Sequence, residues 1–282
     1  MNKTRLIFTA TLLGIAGILL FMVTVITVLP DDFLYDMLRM WLRQRTTLSL
    51  NGDNFHKTFP LGFVIKRASL KNSSGELLYL DAVQANINPF SFFTGRVQIN
   101  MRGSLRLGTV ESNASLGGKK TIVKIYLKNI ELSAIPGLRA IGLTGTGTAS
   151  GEANFILSRN SCADGSMHIE GSDIDLNGLK GVIPLHLQEK VKFSLRTDTR
   201  DCRVKLKGLW IDGQGISSKL SGDIILANTI TDSTIDLTME ISSSEEAVNR
   251  INILKLLSAY KKSGNNYLLR MKGSLGRPQL MQ

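Results

Sequence analysis

The sequence predicts a mainly β protein: one membrane-spanning helix at the amino terminus, then a curved antiparallel β-sheet body with a single amphipathic helix near the carboxy terminus. Three observations lead there. Residues 6–29 contain no charged side chain. From Thr46 to about Glu240, apolar and polar residues alternate with a period of two, punctuated by glycine. Ser243-Ser-Glu-Glu246 then opens a stretch of helical spacing.

The run Leu6 to Leu29 spans 24 residues. At ~1.5 Å per residue it covers roughly 36 Å, slightly more than a hydrocarbon core of ~30 Å. Lys3 and Arg5 precede it, which predicts a cytoplasmic tail over residues 1–5. Arg39, Arg43 and Arg45 lie beyond the far end, but the first helix usually sets orientation. A cleaved signal peptide would have a shorter apolar region ending in small residues. This run ends Val28-Leu29-Pro30 and reads as an uncleaved anchor. The chain after Pro30 is then expected in the periplasm of a bacterium, or the equivalent outer space, attached to the inner membrane.

Asp31 to Arg45 reads as a short juxtamembrane helix, residues 30–45 of the organisation. Phe33, Leu34, Met37, Leu38, Trp41 and Leu42 share one face. Two readings stay open: the stripe lies against lipid headgroups, or it packs on the soluble body.

Residues 46–282 are expected to form one periplasmic β-rich domain, since no Pro- or Ser-rich linker divides them. Strand candidates include Thr121 to Leu127, Lys190 to Leu195, Val204 to Lys207, Ser166 to Glu170 and Ser233 to Ile241. Each alternates so that one face meets a core and the other water. With Ser243 as cap and Glu246 three residues on, a helix is expected from Ala247 to Lys262. Ala247, Ile251, Leu254 and Leu257 form its stripe, Lys261 and Lys262 sit at its negative end, and Gly264 stops it. The chain returns as a strand from Tyr267 to Lys272 and closes Gly273 to Pro278. Three segments look alike: Gly147 to Phe155, Ile216 to Leu226 and Leu269 to Leu275. Such repetition fits stacked β units.

The formal charge is +11, and it is uneven. Residues 61–130 hold ten basic and three acidic side chains, residues 131–240 eleven and fourteen, and residues 241–282 seven and two. Nucleic-acid binding would need aromatics interleaved with the bases, and aromatics are 6% of the chain, so no nucleic acid partner is expected. A basic region facing anionic lipid, an acidic partner protein or only solvent remains.

No catalytic, cofactor-binding or metal-ligating residue is expected, and the chain is not read as an enzyme. Gly142 to Gly151 is glycine-rich but lacks the ending of a phosphate loop, and strand-like alternation follows where a helix is required. His56, His168 and His186 are far apart and outside any ligand spacing. There is no nucleophile elbow. Cys162 and Cys202 are the only cysteines and, in an oxidising compartment, read as a structural disulfide.

The anchor, the β-rich body and four segments together resemble a known family. The segments are Gly145-x-Gly-x-Ala-x-Gly-Glu152, the pair Cys162 and Cys202, Ser217 to Leu226, and Gly273-Ser-Leu-Gly-Arg-Pro278. The chain is similar, over most of residues 1–280, to the protein N component of bacterial type II secretion systems. That resemblance implies an accessory bitopic inner-membrane protein, without catalytic residues, whose body binds other secretion subunits. The same pattern is similar to the AsmA-like group, which implies a phospholipid ligand held or moved in an apolar β groove. Val123, Ile125 and Leu127 would line such a groove.

Overall fold

The computed structural model describes residues 14, 17, 24, 28–45, 48–59, 61–72, 75–117, 120–135, 144–158, 162–177, 191–213, 215–227, 232–250 and 257–281. Most of the apolar run, together with His186 and the residues 251–256 of the expected late helix, lies outside them. Gly14, Gly17, Thr24 and Val28 within the run are helical. Among the described residues no helix is long and apolar enough to cross a membrane.

Helix α1 (Asp31–Arg45) leads into the sheet, with Asp31 and Asp32 in its first turn, where the helix dipole favours acid. Six strands follow: β1 (Ser49–Thr58), β2 (Gly62–Asn72), β3 (Gly75–Asn88), β4 (Val97–Leu105), β5 (Gly108–Gly117) and β6 (Lys120–Glu131). The next six are β7 (Thr144–Ser158), β8 (Asp164–Asn177), β9 (Val191–Arg200), β10 (Arg203–Gly213), β11 (Ile216–Ile225) and β12 (Thr234–Ser243). Helix α2 (Glu245–Arg250) and a 3-10 turn (Leu257–Tyr260) precede β13 (Lys261–Ser263), β14 (Asn266–Ser274) and β15 (Arg277–Met281).

Among the described residues 15 strands belong to one open sheet, and β1 through β12 pair in chain order as an antiparallel meander. Strand β14 then adds to β12 and carries both β13 and β15 on its outer edge. The expected mainly β antiparallel architecture is therefore present. Every expected strand among the described residues is found, and most extend further than alternation alone indicated.

The late helix needs correction at both ends. Ser244, not Ser243, caps it: the Ala247 amide donates to Ser244 Oγ at 3.2 Å and the Val248 amide to the Ser244 carbonyl at 3.1 Å. Ser243 is unavailable because it still belongs to β12, opposite Ile216. At the far end Lys261 and Lys262 are strand, not helix. Gly264, at φ +55°, turns the chain with Asn265 into a hairpin between β13 and β14.

The three similar segments fall in β7, β11 and β14, in one sheet but not side by side. They share a physical device. Gly147, Gly222 and Gly273 all have positive φ inside a strand. At Gly222 (φ +141°) a Cβ would meet the Asp236 carbonyl oxygen at 2.1 Å, so only glycine lets β11 lie against β12 there.

The core is one-sided. The buried apolar strand residues, among them Ile65, Leu105, Ile130, Ile174, Val191, Leu206 and Leu237, project from a single face of the sheet. Register shifts between Leu127 and Ile130, Gly171 and Ile174, and Leu206 and Leu209 insert an extra residue and so keep that face apolar. Among the described residues, strands pack on their hydrogen-bonded neighbours and no second sheet lies across them. α1 packs on β1 at one margin. At the other, Val248, Leu257 and Tyr260 cover Ile241, Tyr267 and Leu269.

Candidate apolar binding face

Cross-strand register sorts the side chains into rows. One row starts at Ile65 opposite Val83 and continues through Gly103, Val110, Leu127 and Gly151. It then runs through Ile169, Leu195, Leu209, Leu220 and Met239 to Leu269. No member is polar. The next row, from Ala85 and Met101 through Ile125, Ala153, Leu206 and Leu237 to Met271, is interrupted only by Ser112, Thr197 and the small Gly222 in its polarity or bulk. A third, from Ile87 and Ile99 through Val123, Phe155, Val204 and Ile224 to Ile235, also carries no charge.

From β2 to β14 there are eleven strand steps. At ~4.8 Å per step this apolar strip is roughly 50 Å long. Its exposure is intermediate in the middle: Val123, Ile125 and Leu127 are half-buried although nothing described lies over β6. These are the three positions expected to line a groove, and the structure places them together on this face.

The opposite face is polar at the same level. Asn86, Asn100, Asn113, Lys124, Asn154, Ser166 and Asp198 form its row, followed by Lys205, Asp223, Asp236 and Lys272. Surface ion pairs lace it, including Lys207 Nζ to Asp198 at 2.6 Å, Lys272 Nζ to Asp236 at 2.9 Å and Arg102 Nε to Glu111 at 3.3 Å. Arg196 sits 5.9 Å from the centre of the Trp210 ring on this side. An open depression bounded by Trp210, Glu170, Lys192 and Asp212 mixes charges of both signs, with no convergent set for one ligand charge.

The chemistry-bearing residues are scattered. His56 Nδ1 lies 3.7 Å from Asp31, and His168 Nε2 lies 3.0 Å from Glu170. Among the described residues, no cluster of His, Cys, Asp or Glu could hold a metal ion. Gly145 to Gly151 run within β7 rather than opening a helix, so they form no phosphate loop. Cys162 and Cys202 are paired as a disulfide, with Cα atoms 5.0 Å apart, tying the entry of β8 to the β9–β10 turn.

Against this geometry, known proteins give no neighbour. The chain matches no protein-family model, no curated protein and no solved structure. The signal available to sequence reading is period-two alternation. Alternation identified the faces of single strands, but aligning those faces across the sheet needed the bulges, which period-two alternation cannot place.

Proposed function

We propose that this chain is a non-enzymatic, inner-membrane-anchored protein that holds lipid acyl chains along the apolar face of its sheet. One observation carries the reading: an uncharged strip roughly 50 Å long, over which no second sheet lies among the described residues, with charged and amide side chains in the row directly behind it. Monomers rarely leave such a strip to water, and hydrocarbon chains share its want of charge and of hydrogen-bonding groups. The uncharged run Leu6–Leu29 supplies the anchor in this reading, and the AsmA-like resemblance agrees with it.

The test is photo-crosslinking in cells. Benzoylphenylalanine replaces Ile125 or Leu220 on the apolar face, or Lys124 or Lys219 on the polar face. Phospholipid adducts found by mass spectrometry at Ile125 and Leu220, and at least tenfold fewer at the lysine positions, are the expected result. Equal labelling of both faces, or none at all, overturns the reading.

A second reading, an accessory subunit of type II secretion, draws on the open edge of the sheet. All of Arg277 to Met281 in β15 is exposed, and its outer edge pairs with no strand among the described residues. An added strand from another secretion subunit would complete it. Crosslinks from Gln279 to a secretion subunit, with no lipid at Ile125, would favour this reading over the first.

A further inference from the structure

The lipid reading leaves open which part of the sheet meets the bilayer. We infer that the end carrying the β1–β2 and β3–β4 turns rests on an anionic bilayer surface, with its phenylalanines among the acyl chains. The inference takes the lipid face and the anchor at residues 6–29 from the reading above.

Phe59, in the turn after β1, is 82% exposed, and Phe90 and Phe93, in the 3-10 turn Pro89–Thr94, are 76% and 54% exposed. Single exposed apolar residues are ordinary; three aromatics on adjoining turns are not. The turns adjoin because the meander brings them to the same end of the sheet. The Ile87 amide donates to the Leu61 carbonyl at 2.7 Å, and Thr58 Oγ1 lies 3.4 Å from Asn86 Oδ1.

The apolar run ends at this same place. Lys57 Nζ donates to the Leu29 carbonyl at 2.5 Å and sits 3.4 Å from Asp31. The last residue of the membrane-spanning candidate is thus fastened one residue before the end of β1, beside Phe59. A bilayer crossed by residues 6–29 would have its surface where these turns protrude. Arg96, exposed after the 3-10 turn, and Lys120, exposed at the start of β6, add positive charge at that end for anionic headgroups. Phenylalanines below flanking cations are the pattern of surfaces that lie in the membrane interface, with the rings in the acyl boundary and the cations at the headgroups. Among the described residues, the opposite end of the same strands presents Leu107 alone as a large exposed apolar side chain, at 89% exposure, with Arg106 already bound to Glu131.

This placement gives the apolar strip a starting point. Its first strands, β2 and β3, stand directly over the acyl layer, so a lipid tail could pass from bilayer to sheet without crossing open water.

The full chain is reconstituted in phosphatidylcholine vesicles with 30% phosphatidylglycerol, with acyl chains either plain or dibrominated. Trp41→Phe and Trp210→Phe remove background, and single probes are introduced as Phe59→Trp, Phe90→Trp, Leu107→Trp and Ile18→Trp. We expect bromine to remove at least half the emission of Phe59→Trp, Phe90→Trp and Ile18→Trp, and little from Leu107→Trp. If Ile18→Trp is quenched while Phe59→Trp and Phe90→Trp match Leu107→Trp, the anchor stands and the inference falls. If Ile18→Trp is not quenched, the anchor reading itself fails. Shielding of Phe59→Trp from both bromine and aqueous iodide would mean that a protein, a second copy or another partner, covers this end, and would overturn the inference too.

Discussion

Tyr35 Oη donates a hydrogen bond to the carbonyl of Gly52 at 3.0 Å, and this bond fastens α1 along β1. Around it, Tyr35 packs on Phe55 at 5.5 Å between ring centres, and Arg39 Nε donates to the Leu50 carbonyl at 3.1 Å. Of the two open readings of this helix, its contacts favour packing on the body. Leu34, Leu38 and Leu42 are half-buried, whereas Phe33, Met37 and Met40 face outward. Tyr35→Phe should loosen α1 by about 1 kcal/mol. Amide exchange over residues 31–42 should then accelerate roughly fivefold, with the sheet beyond β2 unchanged.

Gly222→Ala should be among the most damaging single-methyl changes in the sheet. A side chain there is strained by its backbone and collides with the β12 carbonyl at Asp236. A loss of about 2–4 kcal/mol is expected in urea unfolding. Gly75→Ala probes strain without collision, since Gly75 also has positive φ but open space around it, and should cost less.

Removing the Cys162–Cys202 bridge releases a loop with a sequence separation of 40. The entropic model gives ~3–4 kcal/mol for such a loop. Cys162→Ala with Cys202→Ala should lower the urea midpoint accordingly, and reductant should do the same to the native chain while leaving the double variant unmoved.

Ser244→Ala should cost about 1 kcal/mol by uncapping α2, and exchange at Ala247 and Val248 should rise. Ser243→Ala should leave those two amides alone. Its hydroxyl donates instead to the Asn265 carbonyl at 3.2 Å.

Glu131 titrates below the ordinary carboxylate range, first because the Ser133 hydroxyl donates to it and then because Arg106 does. A depressed folded value means that the ionised form is favoured by folding. Its contribution is present above the unfolded-state value and is lost as pH falls through the lowered one. Ser133→Ala should move the Glu131 titration upward, read by carbon NMR of the carboxyl, and leave stability at neutral pH little changed because the site is at the surface.

Much of the fold could be read from alternation, because period two is a direct consequence of the pleat. Alternation puts Val123, Ile125 and Leu127 on one face, and they share it. The spacing predicts too long a late helix because Lys261 and Lys262 before Gly264 fit a helix end as well as a hairpin. The pairing of Lys261 with Tyr267 and of Ser263 with Asn266 separates the two. The continuous strip was not legible. Asn129 and Asp173, at φ 51° and 56°, mark bulges that resynchronise β6 and β8 with their neighbours, and both residue types are common in ordinary turns.

Because β1 to β12 pair in chain order, every hydrogen-bonded ladder among them joins segments adjacent in sequence. Such a sheet can zip outward from any hairpin, with loop-closure cost confined to short connections. It is also modular. Inserting or deleting one hairpin in the middle would change the span by two strand spacings, roughly 10 Å, while leaving the facing of every other side chain intact. Reach is therefore a quantity that this architecture can adjust by duplication, without redesigning a core.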